Sequence, residues 1–130
     1  MVRSRKPQSR MAKPRRRQPE ADLQRAVMAY LRQIEALGYC MALHVPNGAR
    51  RHPITGAILR GLGMRAGAPD IIVLLKGGKT LLMELKAAKG RLSDAQESFG
   101  DGAVMLGHRY VVVRDLVEAQ RIIQEIVGKR

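Results

Sequence analysis

The sequence predicts a mixed α/β domain, a small β-sheet flanked by helices, with elements in the order α-β-α-β-β-α-β-α. Three observations carry that prediction. Two apolar runs, Ile71–Leu75 and Thr80–Leu85, flank Gly77-Gly78 in the manner of a β-hairpin. Apolar residues recur at helical spacing near both ends of the chain. A short β-branched run, Tyr110–Val113, lies between two helix-capping signatures. No internal repeat is present.

Taken in order, Pro19 to Leu37 reads as the first helix, because Leu23, Val27, Tyr30, Leu31, Ile34 and Leu37 fall on one stripe. Pro19 suits the first turn and Gly38 the stop. Glu20 shares the stripe of Gln24, Val27 and Leu31. On the helix alone its plainer role is a first-turn acid favoured by the dipole. Tyr39 to Val45 reads as a strand, ended by Pro46-Asn47-Gly48. His44 within it is more simply a packed, hydrogen-bonded residue than a ligand or base.

Asn47 to Arg65 is a basic, glycine-rich loop carrying Arg50, Arg51, Arg60 and Arg65, with a short helix expected over Ile54–Leu62. Without aromatic residues to stack on bases, its contacts should be to phosphates. Gly61, Gly63 and Gly67 precede a strand rather than a helix, which excludes a dinucleotide fingerprint. After the hairpin, Ser93-Asp-Ala-Gln96 fits a capping box opening a helix that Gly100 and Gly102 should weaken and that should end near Gly107. Asp115 and Glu118 repeat that spacing ahead of a last amphipathic helix with Leu116, Ala119, Ile122, Ile123 and Ile126.

A chain of 130 residues, 45% hydrophobic, suits one core. Its one cysteine, Cys40, sits among apolar residues and reads as a buried reduced thiol. No apolar run approaches a membrane span and no secretory signal is visible, so a cytoplasmic location is expected.

The net charge is +13. Residues 1–17 hold eight of the 24 basic residues and none of the 11 acidic ones, so without them the charge falls to +5. The expected organisation is a basic arm over residues 1–18, disordered on its own, and a folded domain over 19–130. The arm, with Arg15, Arg16 and Arg17, reads as a phosphate-binding segment. The competing readings are a solubilising tail, or a start upstream of a true initiator at Met11.

The chemistry concentrates between Gly67 and Lys86. Asp70 and Glu84 offer hard carboxylate oxygens, and Mg²⁺ takes one or two of these plus water and substrate phosphate. Lys86 beside them could orient the attacking water or offset charge growing on phosphorus. Cys40 and the serines lack the setting for nucleophilic catalysis. Hairpin geometry supplies a test. With Gly77-Gly78 as a two-residue turn, Asp70 would lie opposite Leu85, and the two carboxylates would point to opposite faces of the sheet. A three-residue loop or a bulge would set Asp70 opposite Glu84, on the face of Lys86.

Pro69-Asp70, thirteen residues, then Glu84-Leu-Lys86 resembles the PD-(D/E)xK nuclease superfamily. Glu20 with Gln24, Pro46-Asn47-Gly48, Gly67-Ala-Pro-Asp70 and Gly90-Arg-Leu-Ser93 followed by Gln96 make it similar to the VRR-NUC branch, over about residues 19–126. The resemblance implies a restriction-endonuclease-like core and an Mg²⁺- or Mn²⁺-dependent phosphodiesterase. It implies that Asp70, Glu84 and the Leu85 carbonyl bind metal, that Lys86 sits at the attacking water, that Glu20 approaches the metal directly or through water, and that Gln96 supports the site.

Small stand-alone members of this branch resemble Holliday-junction resolvases. The implied substrate is therefore branched DNA and the implied assembly a homodimer. Arg15, Arg16, Arg17, Arg50, Arg51, Arg60, Arg65, Lys89 and Arg91 are the expected DNA contacts. The alternative is a non-catalytic nucleic-acid-binding module on the same fold. Acids on a phosphate-facing surface disfavour it, since they repel DNA. A basic structural protein, whose hairpin acids merely pair with Lys86 and Lys89, explains least.

Overall fold

A computed structural model describes residues 19–46 and 53–128, with backbone alone at 53–55. Its elements are α1 (Pro19–Ala36), β1 (Cys40–His44), α2 (Pro53–Gly61), β2 (Ile71–Leu75), β3 (Lys79–Leu85), α3 (Asp94–Met105), β4 (Arg109–Val113) and α4 (Leu116–Val127). The order matches the one read from the sequence. The four strands form one sheet in the order β1-β2-β3-β4, antiparallel except for the parallel β3–β4 pair.

Period-two alternation gives this sheet two unlike faces. One carries Cys40, Ala42, Ile71, Val73, Leu81, Met83, Leu85 and Val113, all buried in the main core against α1 and α4. Helix α1 contributes Val27 and Leu31 from its apolar stripe, and α4 contributes Ala119, Ile122 and Ile123. Truncating a fully buried leucine such as Leu31 to alanine should cost about 2–5 kcal/mol. The other face is covered by α3 only in part. Met41, Leu43 and Leu74 stay exposed there, because register sets Met41 opposite Leu74 and Leu43 opposite Ile72.

Local chemistry explains where the elements stop. Gly38 takes φ 85° after α1, a left-handed value that glycine reaches without steric cost. Strand β1 lies at the sheet edge, and α1 occupies part of that edge. Arg32 Nη1 donates to the Ala42 carbonyl at 2.8 Å while the Ala42 N–H donates to Glu35 Oε1 at 2.9 Å, which removes one pairing position from an open edge.

The Ser93 box forms in full, with Gln96 N–H donating to Ser93 Oγ at 3.2 Å and Ser93 N–H to Gln96 Oε1 at 2.9 Å. At α4 only half of the expected box forms. Asp115 accepts the Glu118 N–H at 2.8 Å, but the Glu118 carboxylate accepts from Arg114 N–H at 3.2 Å, one residue earlier than a box requires.

Helix α3 runs unbroken for twelve residues through Gly100 and Gly102 and ends at Met105, close to the expected stop near Gly107. Gly100 is buried beneath β4, and a Cβ there would lie 2.8 Å from Cε1 of Tyr110. The glycine lets the helix approach the sheet, so packing offsets its poor helix propensity.

Candidate active site

The hairpin between β2 and β3 has a three-residue connection, Lys76–Gly78, in a 3-10 turn with Gly77 and Gly78 both at positive φ. Ile71 pairs with Met83 and Leu75 with Lys79. Continued by one residue, that register sets Asp70 opposite Glu84, which is the irregular arrangement a shared carboxylate site requires. Lys86 follows on the same face by alternation.

Asp70 is fixed at both ends. Its carbonyl accepts from Val45 N–H at 2.8 Å and from His44 Nδ1 at 2.8 Å. Its Oδ2 accepts the Leu85 N–H at 2.7 Å, tying the aspartate to the strand that carries Glu84. His44 makes the expected hydrogen bond, with Asp70 as the partner, but at the end of the edge strand it is exposed rather than packed.

The preceding loop leans on α3. Gly67 has φ 79°, and a Cβ there would meet the Ala95 carbonyl oxygen at 2.2 Å. Only glycine allows this approach, which holds the Gly67–Asp70 loop against the first turn of α3.

Glu84 is 2% exposed, the only charged side chain among the buried residues described. Gln96 Nε2 donates to its Oε1 at 2.8 Å, so this glutamine caps α3 with its oxygen and holds the glutamate with its nitrogen. Burial raises Glu84 to about 8, and the charge of Asp70 adds to that rise. Lys86 opposes the shift and Glu20 contributes to it slightly.

Glu84 Oε2 is buried without a hydrogen-bond partner. Two facing carboxylates with an unsatisfied oxygen form a site that a small divalent cation would complete. Mg²⁺ or Mn²⁺ fits, because hard cations take oxygen ligands and Mg²⁺ needs few carboxylates when water and phosphate fill the remaining positions. Asp70 and Glu84 would hold it, with the Leu85 carbonyl as the third expected donor.

Glu20 reaches the strand end next to the pair, and its charge acts on Glu84. Its Oε1 accepts from Ala87 N–H at 3.4 Å, and among the described residues no group of three or more His, Cys, Asp or Glu side chains is gathered to hold an ion. The remaining expected DNA contacts are divided. Arg60, Arg65, Lys89 and Arg91 are exposed, with the Arg65 guanidinium 5.7 Å from the Phe99 ring. Arg15, Arg16, Arg17, Arg50 and Arg51 lie outside the described residues. Cys40 is buried with its thiol pushed upward by burial and by Glu35, as befits a core residue.

Two neighbours of the site were missed in the sequence. Tyr110 has a buried hydroxyl without a partner, and burial with the nearby Glu84 and Asp70 charges pushes it up to about 12. A tyrosine in a β-branched run looks like core, and only the β3–β4 register reveals its neighbours. Arg114 donates through Nη1 to the carbonyls of Gly90 at 2.7 Å, Ala87 at 2.9 Å and Ala88 at 3.5 Å. No sequence spacing links residues 24 or more apart.

No family model matches this chain, and no curated protein does. Solved structures do. One described as "VRR_NUC domain protein" superposes with TM-score 0.67 at 20% identity, covering 87% of this chain and 91% of its own. Another, "VRR_NUC domain", gives TM-score 0.57 at 19% identity, covering 83% of this chain and 97% of its own. At these identities the likeness is one of fold: a VRR-NUC-like α/β domain.

Proposed function

We propose that this VRR-NUC-like domain is a metal-dependent DNA endonuclease acting on branched DNA. The observation that carries this reading is the hairpin register, which sets Asp70 opposite a buried Glu84 with an unsatisfied oxygen. An Mg²⁺ or Mn²⁺ ion held there would supply Lewis-acid polarisation of the scissile phosphate and activation of water.

The chain's own groups do the rest. Asp70, locked by Leu85 N–H, and Glu84, locked by Gln96, present fixed oxygens that need no reorganisation on binding. Lys86 places an ammonium beside them to hold the attacking water and offset charge developing on the phosphate. Lys89 and Arg91, on the turn after β3, receive the neighbouring phosphates.

Cleavage of two strands of a junction requires two such sites, so the working unit is a homodimer. The exposed apolar residues Met41, Leu43 and Leu74 offer a surface that a second copy would cover. A monomer on sizing at assay concentration would remove junction resolution from the proposal.

The test is cleavage of labelled linear, flapped and four-way DNA by wild type and Asp70→Ala, with and without Mg²⁺ or Mn²⁺. Wild type should cut only with metal and prefer the branched substrates. Asp70→Ala should lose roughly a hundred-fold or more in rate. Equal cutting by both proteins would refute the site. Tight binding with no cutting in either metal would make the domain a binding module.

A further inference from the structure

We infer that Arg114, which follows β4, is a positioning residue that clamps the turn after β3 and thereby aims Lys86. The geometry comes first. Strands β3 and β4 are parallel, so both end at the same side of the sheet, and Lys86 N–H donates to the Val113 carbonyl at 3.0 Å. Beyond this bond, Ala87 follows Lys86 and Arg114 follows Val113.

Ala87 is held from two directions. Its N–H donates to Glu20 Oε1 of α1 at 3.4 Å, and its carbonyl accepts from Arg114 Nη1 at 2.9 Å. The same nitrogen reaches the Gly90 carbonyl at 2.7 Å and the Ala88 carbonyl at 3.5 Å. Gly90 N–H closes the turn onto the Ala87 carbonyl at 2.9 Å. One guanidinium nitrogen therefore reaches three carbonyls of the four-residue turn 87–90, which contains Lys89, follows Lys86 and precedes Arg91.

The choice of partners is informative. Four described arginines pair with acids, Arg25 with Asp22, Arg32 with Glu35, and Arg109 and Arg121 with Glu125. Among the described residues no carboxylate forms an ion pair with Arg114. The nearest acid in sequence, Asp115, caps α4, and Glu118 accepts the Arg114 backbone N–H. The guanidinium is thus committed to the backbone carbonyls of the turn. Its charge stays unneutralised beside a phosphate-binding turn, where an ion pair would have cancelled it.

Losing the clamp should free the turn without opening the core, since Arg114 is exposed and lies outside the apolar cluster. An ammonium displaced by about 1 Å can cost on the order of a hundred-fold in rate.

The experiment uses the full chain with Arg114→Met, and Arg114→Gln should the first fail to fold, with Arg121→Met as an exposed-arginine control. Two measurements are made. Brief trypsin digestion, read by mass, reports cutting after Lys86, Lys89 and Arg91; the clamp predicts roughly tenfold faster cutting there in the Arg114 variants and no change in the control. Cleavage kinetics on branched DNA, which rest on the endonuclease reading, should show kcat lowered about 10- to 100-fold with KM within about threefold.

A merely structural role would lower melting temperature while leaving kcat intact, and unchanged kcat in a folded variant overturns the positioning role. Unchanged trypsin cutting overturns the clamp. Should wild type cut no DNA, digestion still decides the clamp, and the failure belongs to the endonuclease reading.

Discussion

Glu84 is buried in a form that neutral pH makes uncomfortable. Its ordinary value is 4.5 and burial beside Asp70 raises it to about 8, so between those values the folded chain keeps a proton that the unfolded chain has released. This contribution to stability is full below about pH 4.5 and is lost as pH rises through 8. Without divalent metal, the melting temperature should therefore fall between pH 5 and pH 8.5.

Glu84→Gln should flatten that fall and melt several degrees above wild type at pH 8 while cutting no DNA. Mg²⁺ or Mn²⁺ should raise the melting temperature of wild type more than that of Glu84→Gln at pH 8. A wild-type profile parallel to that of Glu84→Gln would show that the glutamate does not hold the proton.

Gln96 offers a sharper separation of roles, since its oxygen serves the helix and its nitrogen serves Glu84. Gln96→Glu preserves the cap acceptor but turns a third acid toward the pair. It should keep α3 and lose cleavage by roughly ten- to a hundred-fold. Activity near wild type in Gln96→Glu would confine this residue to capping. Asp70, Glu84 and Lys86 stand out in the sequence as candidates because charges within or beside apolar strands are out of place. Gln96 was ambiguous because the capping box alone explains it, and Tyr110 was illegible because its neighbours come from another strand.

At the scale of elements, the hairpin turn decides whether a site exists. Gly77-Gly78 is compatible with a two-residue turn and with the three-residue turn observed, and composition does not choose between them. Tertiary pairing chooses: the observed register keeps Ile71 and Val73 in the core with Leu81 and Met83, while setting Asp70 beside Glu84.

Deleting Gly78 should force either a strained turn or a one-residue slip, and a slip buries Glu84 and Leu82 where Leu81 and Met83 now pack. Cleavage should disappear in a protein that retains most of its helix by circular dichroism. Full activity in that variant would mean the register does not set the site.

Gly67→Ala tests the second element contact. A positive φ and a Cβ at 2.2 Å from the Ala95 carbonyl should cost roughly 2 kcal/mol or more, seen in chemical denaturation. Element order and nearly all boundaries could be read from periodicity and caps, because those signals are local. The close approaches at Gly67 and Gly100 could not, since the residues that demand glycine there lie 10 or more positions away.

For the whole molecule the dominant quantity is charge, and it is unevenly distributed. Residues 1–17 carry eight basic residues without an acid, while the described domain mixes both signs. No helix among the described residues is long and apolar enough to cross a membrane.

If the arm touches phosphates, each contact releases a counterion, and the logarithm of affinity falls with the logarithm of salt by about 0.9 per phosphate on duplex DNA. Deleting residues 1–17 should therefore weaken binding most at low salt and flatten the slope by several units, measured by titrating labelled four-way DNA at increasing KCl. The turnover at saturating substrate should barely change, because the hairpin and α3 hold Asp70 and Glu84 in place. An unchanged slope would show that the arm makes no phosphate contacts. A large fall in saturated rate would instead place part of the arm at the reacting phosphate.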